Sequence, residues 1–374
     1  MKKLANIYQL GAKELRSLFH DTVLLIAVIY SFSFGIYSAA NGISHELHNT
    51  AIAIVDEDRS PLSRRIADAF RPPYFRQPQL IAIEAVDAAM DSGLYTFVID
   101  IPPDFEKNVV AGRYPELQVN VDATAVNQAG IGDGYIQNII SGEIREFMQG
   151  FRGPAPLPVE LLTRVKFNPN LTTSWFVSVM ELINNITLLS MVLTGAALMR
   201  ERERGTIEHL LVMPLTPFEI MAAKVWANGL IVLVAAGLSL WLVIKGLLQV
   251  QITGSIPLFL GGTALYLFSS TAMGIFFATV ARSMPQLGLL FILIVLPMNI
   301  LSGGSSPRES MPEILQAIMQ FAPSTHFVTF AQAILYRGAG FAVVWPNYAA
   351  VSLIGAVFFI AALARLRKSI TLSI

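Results

Sequence analysis

The sequence predicts a membrane all-α bundle of six transmembrane helices, with an external α/β domain inserted between helices 1 and 2. Three observations predict it. Of the 374 residues, 54% are hydrophobic and only 14% charged, against about 45–50% and about 25% in soluble domains. Six mainly apolar runs approach or exceed the roughly 20 residues that cross a bilayer as a helix. One long stretch, residues 41–174, breaks that pattern and alternates strand-like with helix-like segments.

The same composition excludes several functions. The 26 basic and 26 acidic residues cancel, so no global positive field exists to attract nucleic acid, and no nucleic-acid partner is expected. There is no cysteine, which removes disulfides, thiolate catalysis and Cys-ligated metals together.

Residues 1–21 come first. Leu4, Ile7, Leu10, Leu15 and Leu18 recur at helical spacing among Lys13, Glu14 and Arg16, as in a helix lying along the cytoplasmic interface. The first span is Thr22–Ala40, which is uncharged. It is longer than a signal-peptide core of about 7–15 residues and follows a long mixed-charge stretch, so it reads as retained.

The insertion begins with a β-branched strand, Thr50–Val55, ending in Asp56-Glu57-Asp58. Ser60 as N-cap and Pro61 at the first helical position open a helix to about Phe70. Then follow a strand at Gln79–Ile83, a helix at Glu84–Asp91 stopped near Gly93, and a strand at Leu94–Ile101. A helix from Asp104 ends before Gly112, Glu116–Asp122 is a fourth strand, and Asn127–Gln149 is a longer helix. Gly150–Pro158 reads as a linker.

The remaining spans are Trp175–Met199 (carrying Glu181), Val225–Val250 (carrying Lys245), Ile256–Ala281, Pro285–Leu301 and Val343–Ala364. Trp345 and Tyr348 stand near one end of the last, as interfacial anchors would. Lys245, at the end of its span, is expected to snorkel. Residues 302–342 hold two short amphipathic segments, Met311–Phe321 and Phe327–Tyr336. Neither is long enough to span, and they are expected to dip into the outer leaflet as a re-entrant pair.

Basic residues set the orientation. Lys2, Lys3, Lys13 and Arg16 precede the first span. Arg200, Arg202, Arg204 and Lys224 follow the second, Arg282 the fourth, and Arg365, Arg367 and Lys368 the sixth. The opposite side has Lys245, Arg308 and Arg337. The bias places both termini and the 200–224 loop in the cytoplasm, and residues 41–174 outside.

Several motifs have ordinary readings. Leu301-Ser302-Gly303-Gly304-Ser305 matches four letters of an ATPase signature, but no Gly-x-x-x-x-Gly-Lys-Ser/Thr phosphate loop exists in the chain, so it reads as a flexible turn after the fifth span. His45 and His48 lack further ligands for a metal, and Asp56, Glu57 and Asp58 read as an acidic strand-end turn. No nucleophile–base constellation assembles from five scattered histidines. No catalytic residue, no metal site and no bound cofactor are expected in this chain.

Glu181, Asn184 and Asn185 lie at i, i+3 and i+4 in the second span and share a face. That face either lines a translocation path or a dimer seam, or sits near the outer interface, two turns from Trp175. The 200–224 loop carries the strongest signal. Arg200, Arg202 and Arg204 alternate with Glu201 and Glu203; Ile207, Leu210 and Leu211 form an apolar stripe; Pro214 and Pro217 fix a turn. A connection between two spans needs only a few residues. One this patterned reads as a docking surface whose charges pair with a partner, the bland alternative being an interfacial helix.

The run Arg200-Glu201-Arg202-Glu203-Arg204-Gly205-Thr206-Ile207-Glu208-His209-Leu210-Leu211-Val212-Met213-Pro214 resembles the R-E-x-E-x-G-T-x-E-x-L-L-x-x-P loop of ABC-2-type permeases. Lys13-Glu14-Leu15-Arg16 before the first span is similar to that family, as is the domain beginning Val55-Asp56-Glu57-Asp58-Arg59-Ser60. The resemblance implies a multi-pass permease of the bacterial inner membrane. It would move a hydrophobic or amphipathic substrate outward as a dimer with a second copy or a paralogue. A separate ABC ATPase, holding ATP and Mg, would dock on Arg200, Glu201, Glu203, Gly205, Thr206, Ile207, Glu208, Leu210, Leu211 and Pro214. A periplasmic adaptor protein would meet the α/β domain, which is then periplasmic. The alternatives are an ion-coupled secondary transporter, for which Glu181 is nearly the sole buried charge, and a membrane sensor with a ligand-binding outer domain.

Overall fold

Long uncharged runs can satisfy their backbone polar groups only within a helix when water is absent, and the computed structural model builds each of them that way. It describes residues 2–42, 47, 49–124, 126–149, 172–203, 215–304 and 307–371. Among these residues six helices are long and apolar enough to cross a membrane: Thr22–Gly42, Thr173–Glu203, Pro217–Leu247, Ile256–Val280, Met284–Leu301 and Phe341–Lys368. They are called spans 1 to 6 below. The chain divides into two compact units, Met1–Ile43 with Val165–Ile374, and Ser44–Arg164.

The first unit holds the spans. Spans 2 and 4 are mostly buried within it, whereas spans 1, 5 and 6 leave most of their surface exposed and apolar. Such surface is suited to lipid or to a further subunit. The span 2–span 4 contact is made by small residues. A side chain added at Gly274 would place its Cβ 2.6 Å from the Met191 carbonyl oxygen, and one at Gly195 would lie 3.0 Å from the Gly274 carbonyl. Small residues let helix backbones approach where no hydrophobic gradient drives association. Hydroxyls fill the same seam: Ser190 donates to Ser270 at 2.7 Å, and Tyr266 to Thr187 at 2.8 Å.

Two spans contain π-helical stretches, Ser31–Gly35 in span 1 and Leu240–Leu247 in span 3. The second carries Lys245, which is exposed. Between spans 5 and 6 lie two short helices, Glu313–Met319 and Pro323–Leu335, close to the predicted pair. Span 6 corrects one expectation. Trp345 is exposed, but Tyr348 is buried and donates to the Leu258 carbonyl at 2.7 Å. Its ring fits against Gly262, where an added Cβ would fall 2.5 Å from it. Tyr348 is thus a packing residue between spans 4 and 6, not an anchor at the membrane surface.

The second unit is the predicted α/β domain. Its strands are β1 Ile52–Asp56, β2 Gln79–Leu80, β3 Phe97–Ile101 and β4 Gln118–Val121. They form one sheet in the order β2-β1-β3-β4, parallel except for the β3–β4 pair. The central strands are buried on both faces. Ile52, Ile54, Phe97, Ile99 and Ile101 point to a core with Leu62, Ile66, Phe105 and Ile136. Ala53, Val55 and Val98 point to a smaller one with Val86. Helices Pro61–Ala69 and Val126–Gln149 therefore serve one face, and Val86–Asp91 the other.

The acidic turn after β1 is structural. Asp56 accepts from the Arg59 N–H at 2.8 Å and the Ser63 hydroxyl at 2.9 Å; Asp58 accepts from the Glu106 N–H at 3.0 Å; Glu106 accepts from the Leu62 N–H at 2.9 Å. These carboxylates satisfy N–H groups in the first turns of two helices, which have no intrahelical partner. Asp100, on β3, has a buried oxygen with no hydrogen-bond partner. Burial raises its pKa above the ordinary carboxylate value. The folded state then holds that proton more tightly than the unfolded chain, so stability falls as pH rises above the unfolded value of about 3.9 and the cost persists at neutrality. Asp100→Asn is expected to raise the melting temperature of this unit at pH 7 and to lose most of that gain near pH 3.5. Equal gains at both values would show that ionisation is not the cause.

Candidate functional site

The span 2 helix does not stop at Met199. It runs through Arg200, Glu201, Arg202 and Glu203 as its last turn, and those four charges, read from the sequence as facing a partner, are used inside the chain. At about 100° per residue, four consecutive side chains point around the whole helix, and each reaches a different element. Arg200 pairs with Asp21, at the start of span 1, at 2.7 Å. Glu201 reaches Lys224 at 2.9 Å and Lys13 at 3.9 Å. Arg202 donates to the Ala278 and Ala281 carbonyls, 2.7 and 2.9 Å away at the end of span 4. Glu203 accepts from the Met284 N–H, 2.8 Å away at the start of span 5. Cations at helix C-termini and carboxylates at N-termini match the orphan groups and dipole there.

Span 3 starts earlier than predicted, for a readable reason. Thr216 and Glu219 form a capping box, with Pro217 at the first helical position. Pro217 therefore opens the helix instead of closing a turn, and Phe218–Lys224 forms the first turns of span 3. Lys224 is 1% exposed. Its ammonium lies 2.9 Å from Glu14 of the N-terminal helix and 2.9 Å from Glu201. A buried charge survives only when paired and hydrogen-bonded. Here one ammonium holds three helices together.

The N-terminal helix, Lys2–His20, is held against span 3 by more than that. Tyr8 stacks on Trp226 with ring centroids 6.1 Å apart, the Trp226 N–H donates to the Ile7 carbonyl at 3.1 Å, and Asn6 donates to Glu219 at 3.0 Å. A side chain at Gly11 would run into the Trp226 ring. This helix is a packed part of the bundle.

Residues Gly205, Thr206, Ile207, Glu208, Leu210, Leu211 and Pro214 lie outside the described residues; the description stops at Glu203 and resumes at Leu215. On the second span's polar face, Asn185 is buried and donates to the Ser31 carbonyl at 2.9 Å. Ser31 opens the π stretch of span 1, where the helical hydrogen-bond register slips. Glu181 and Asn185 are hydrogen-bonded to each other, and Asn184 is half-buried. Asn185 thus fastens span 1 to span 2 within one chain. Among the described residues no three His, Asp or Glu side chains gather where they could hold a metal ion.

The family described as ABC-2 family transporter protein matches residues 21–364. The chain belongs to the ABC-2 transporter family. This ABC-2 permease is 56% identical over 370 residues to the inner membrane transport permease YhhJ of Escherichia coli, with 99% of each chain covered. It is 29% identical over 371 residues to the probable multidrug ABC transporter permease YbhR of Escherichia coli, covering 97% of this chain and 99% of that one. It is 25% identical over 338 residues to the related YbhS, 88% of each being covered. With its six apolar helices, it is a multi-pass transport permease of the inner membrane.

Sequence reasoning missed Lys224 as a buried residue, and Thr187, Ser190, Tyr266 and Ser270 as the lining of the span 2–span 4 seam. Isolated hydroxyls in an apolar run carry no periodic signal. The capping box at Thr216 and Glu219 was a signal that could have located the start of span 3.

Proposed function

We propose that this permease is the membrane subunit of an ATP-driven exporter that moves a hydrophobic or amphipathic substrate out across the inner membrane. The relatives named as probable multidrug ABC transporter permeases support a drug-like cargo. Hydrolysis takes place on a separate ABC ATPase, which holds ATP and Mg; this chain binds neither. A second copy or a paralogue completes the membrane pore. Residues 41–174 face the periplasm and meet an adaptor protein there, while both termini are cytoplasmic.

One observation carries the coupling reading: Lys224 ties the ends of spans 2 and 3 to each other and to the N-terminal helix. Residues 204–216 connect those same two ends. A force on that segment from the ATPase would move both spans and the N-terminal helix as one body, and Arg202 and Glu203 would pass it to spans 4 and 5. The roles of the two parts differ accordingly. Residues Gly205 to Pro214 make the docking surface, and Arg200 to Glu203 transmit from it.

The test changes the docking surface alone. Truncating a hot-spot residue commonly costs about 2 kcal/mol or more, so Leu210→Ala with Glu208→Ala is expected to weaken capture of the ATPase roughly tenfold or more while membrane insertion stays intact. Full ATPase binding and full export by that variant would overturn the assignment.

A further inference from the structure

At the end of the bundle opposite Lys224 lies a cavity of about 430 Å³ that the transport reading does not use. Its walls come from the start of span 2 (Phe176), the turn after span 5 (Ser302–Gly304) and the helix Pro323–Leu335 (Val328, Thr329, Gln332). Arg308, Glu309 and Arg337 also line it.

Ser302, Gly303 and Gly304, from the run that resembles an ATPase signature, line this cavity, and the first and last of them are packed; Ser305 lies outside the described residues. Ser302 and Gly304 are buried. Gly303 has φ +91°, a conformation that favours glycine. A side chain at Gly304 would collide with the Met180 methyl group, and one at Gly303 would meet Arg308.

Arg308 and Arg337 both line the cavity. Among the described residues neither has a carboxylate within salt-bridge distance, and Arg308 has a buried Nε with no hydrogen-bond acceptor. Arg337 is exposed at the rim. A buried guanidinium N–H without an acceptor is costly. By contrast, Arg200 donates to Asp21 and Arg202 to the Ala278 and Ala281 carbonyls. The Arg308 Nε is shielded from solvent.

We propose that this cavity binds a phosphate-type anion, with Arg308 and Arg337 as its ligands. Guanidinium pairs recognise such planar or tetrahedral oxyanions through paired N–H donors. Phe176 and Val328 give the cavity an apolar wall, which suits an anion carried on an amphipathic molecule. The volume lies in the range of small-molecule sites. The anion is either the headgroup of an acidic phospholipid or free phosphate.

The test uses the full chain purified in neutral detergent. Retention of phosphatidylglycerol and of phosphatidylcholine is measured by native mass spectrometry, and inorganic phosphate is titrated against thermal stability. A headgroup site predicts phosphatidylglycerol held at least tenfold more tightly than phosphatidylcholine, with phosphate competing. A free-anion site predicts stabilisation by phosphate with no lipid preference. Arg308→Gln with Arg337→Gln is expected to abolish either response. Arg337→Gln alone, at an exposed position, is expected to weaken it severalfold, and Arg308→Lys to keep part of it. No response in the wild type, or an undiminished response in the Arg337→Gln and double variants, overturns the proposal.

Discussion

Lys224→Met is expected to be the most damaging single substitution at the cytoplasmic-facing end of the proposed topology. Lys224 is buried between Glu14 and Glu201. Removing the ammonium leaves two carboxylates facing each other in a site that excludes most water. Breaking a buried pair from one side costs about 3–5 kcal/mol, far above the roughly 0–1 kcal/mol of a surface pair. The expected readout is a large fall in melting temperature of the detergent-purified protein, with release of the N-terminal helix to protease. Neutralising the buried groups, by Lys224→Met with Glu14→Gln and Glu201→Gln, should restore much of the stability, because no uncompensated buried charge remains and Lys13 is exposed. Transport should stay impaired in that triple variant, since the link between spans 2 and 3 is still absent. A Lys224→Met protein that melts like wild type would show that the cluster is not holding these helices together.

Gly274→Val is the second large effect. Its Cβ would sit 2.6 Å from the Met191 carbonyl oxygen and 3.0 Å from the Met191 Cα. The obstacle is backbone, so no rotamer change relieves it, and spans 2 and 4 must separate. Overpacking of this kind costs about 1–3 kcal/mol, and separation also disturbs the Ser190–Ser270 hydrogen bond beside it. Gly274→Ala should show a smaller loss of the same sign. Gly261→Val in the same span is the control, because a Cβ there meets nothing within 4 Å. The comparison is made by thermal melts of the three variants. Similar behaviour of Gly274→Val and Gly261→Val would remove the close span 2–span 4 contact as a source of stability.

Much of the fold was legible because its signals are local. The α/β unit follows from alternation of short apolar strands with capped helices; Ser60 accepts from the Ser63 N–H and Pro61 occupies the first helical position, as the residue types demanded. The six spans follow from hydropathy alone. Errors fell where an apolar scan meets charge. Span 2 extends through Glu203 because each terminal charge finds a partner, so polarity did not end the helix. Span 3 begins at Pro217 because a capping box starts it, well before the apolar run.

The candidate site was legible as a place but not as an arrangement. The sequence by itself determined that the chain is a six-span membrane protein with an α/β insertion, and that residues 200–224 form its most patterned connection. It did so because hydropathy, capping and turn chemistry act over a few residues. Only the tertiary structure decided that Lys224 joins Glu14 to Glu201, that Asn185 fastens Ser31, that Tyr348 packs under Gly262, and that Arg308 faces a cavity. Those partners lie far apart along the chain. Their pairing depends on how helices of similar hydropathy pack, and glycine-sized gaps and buried charge, not local pattern, set that packing.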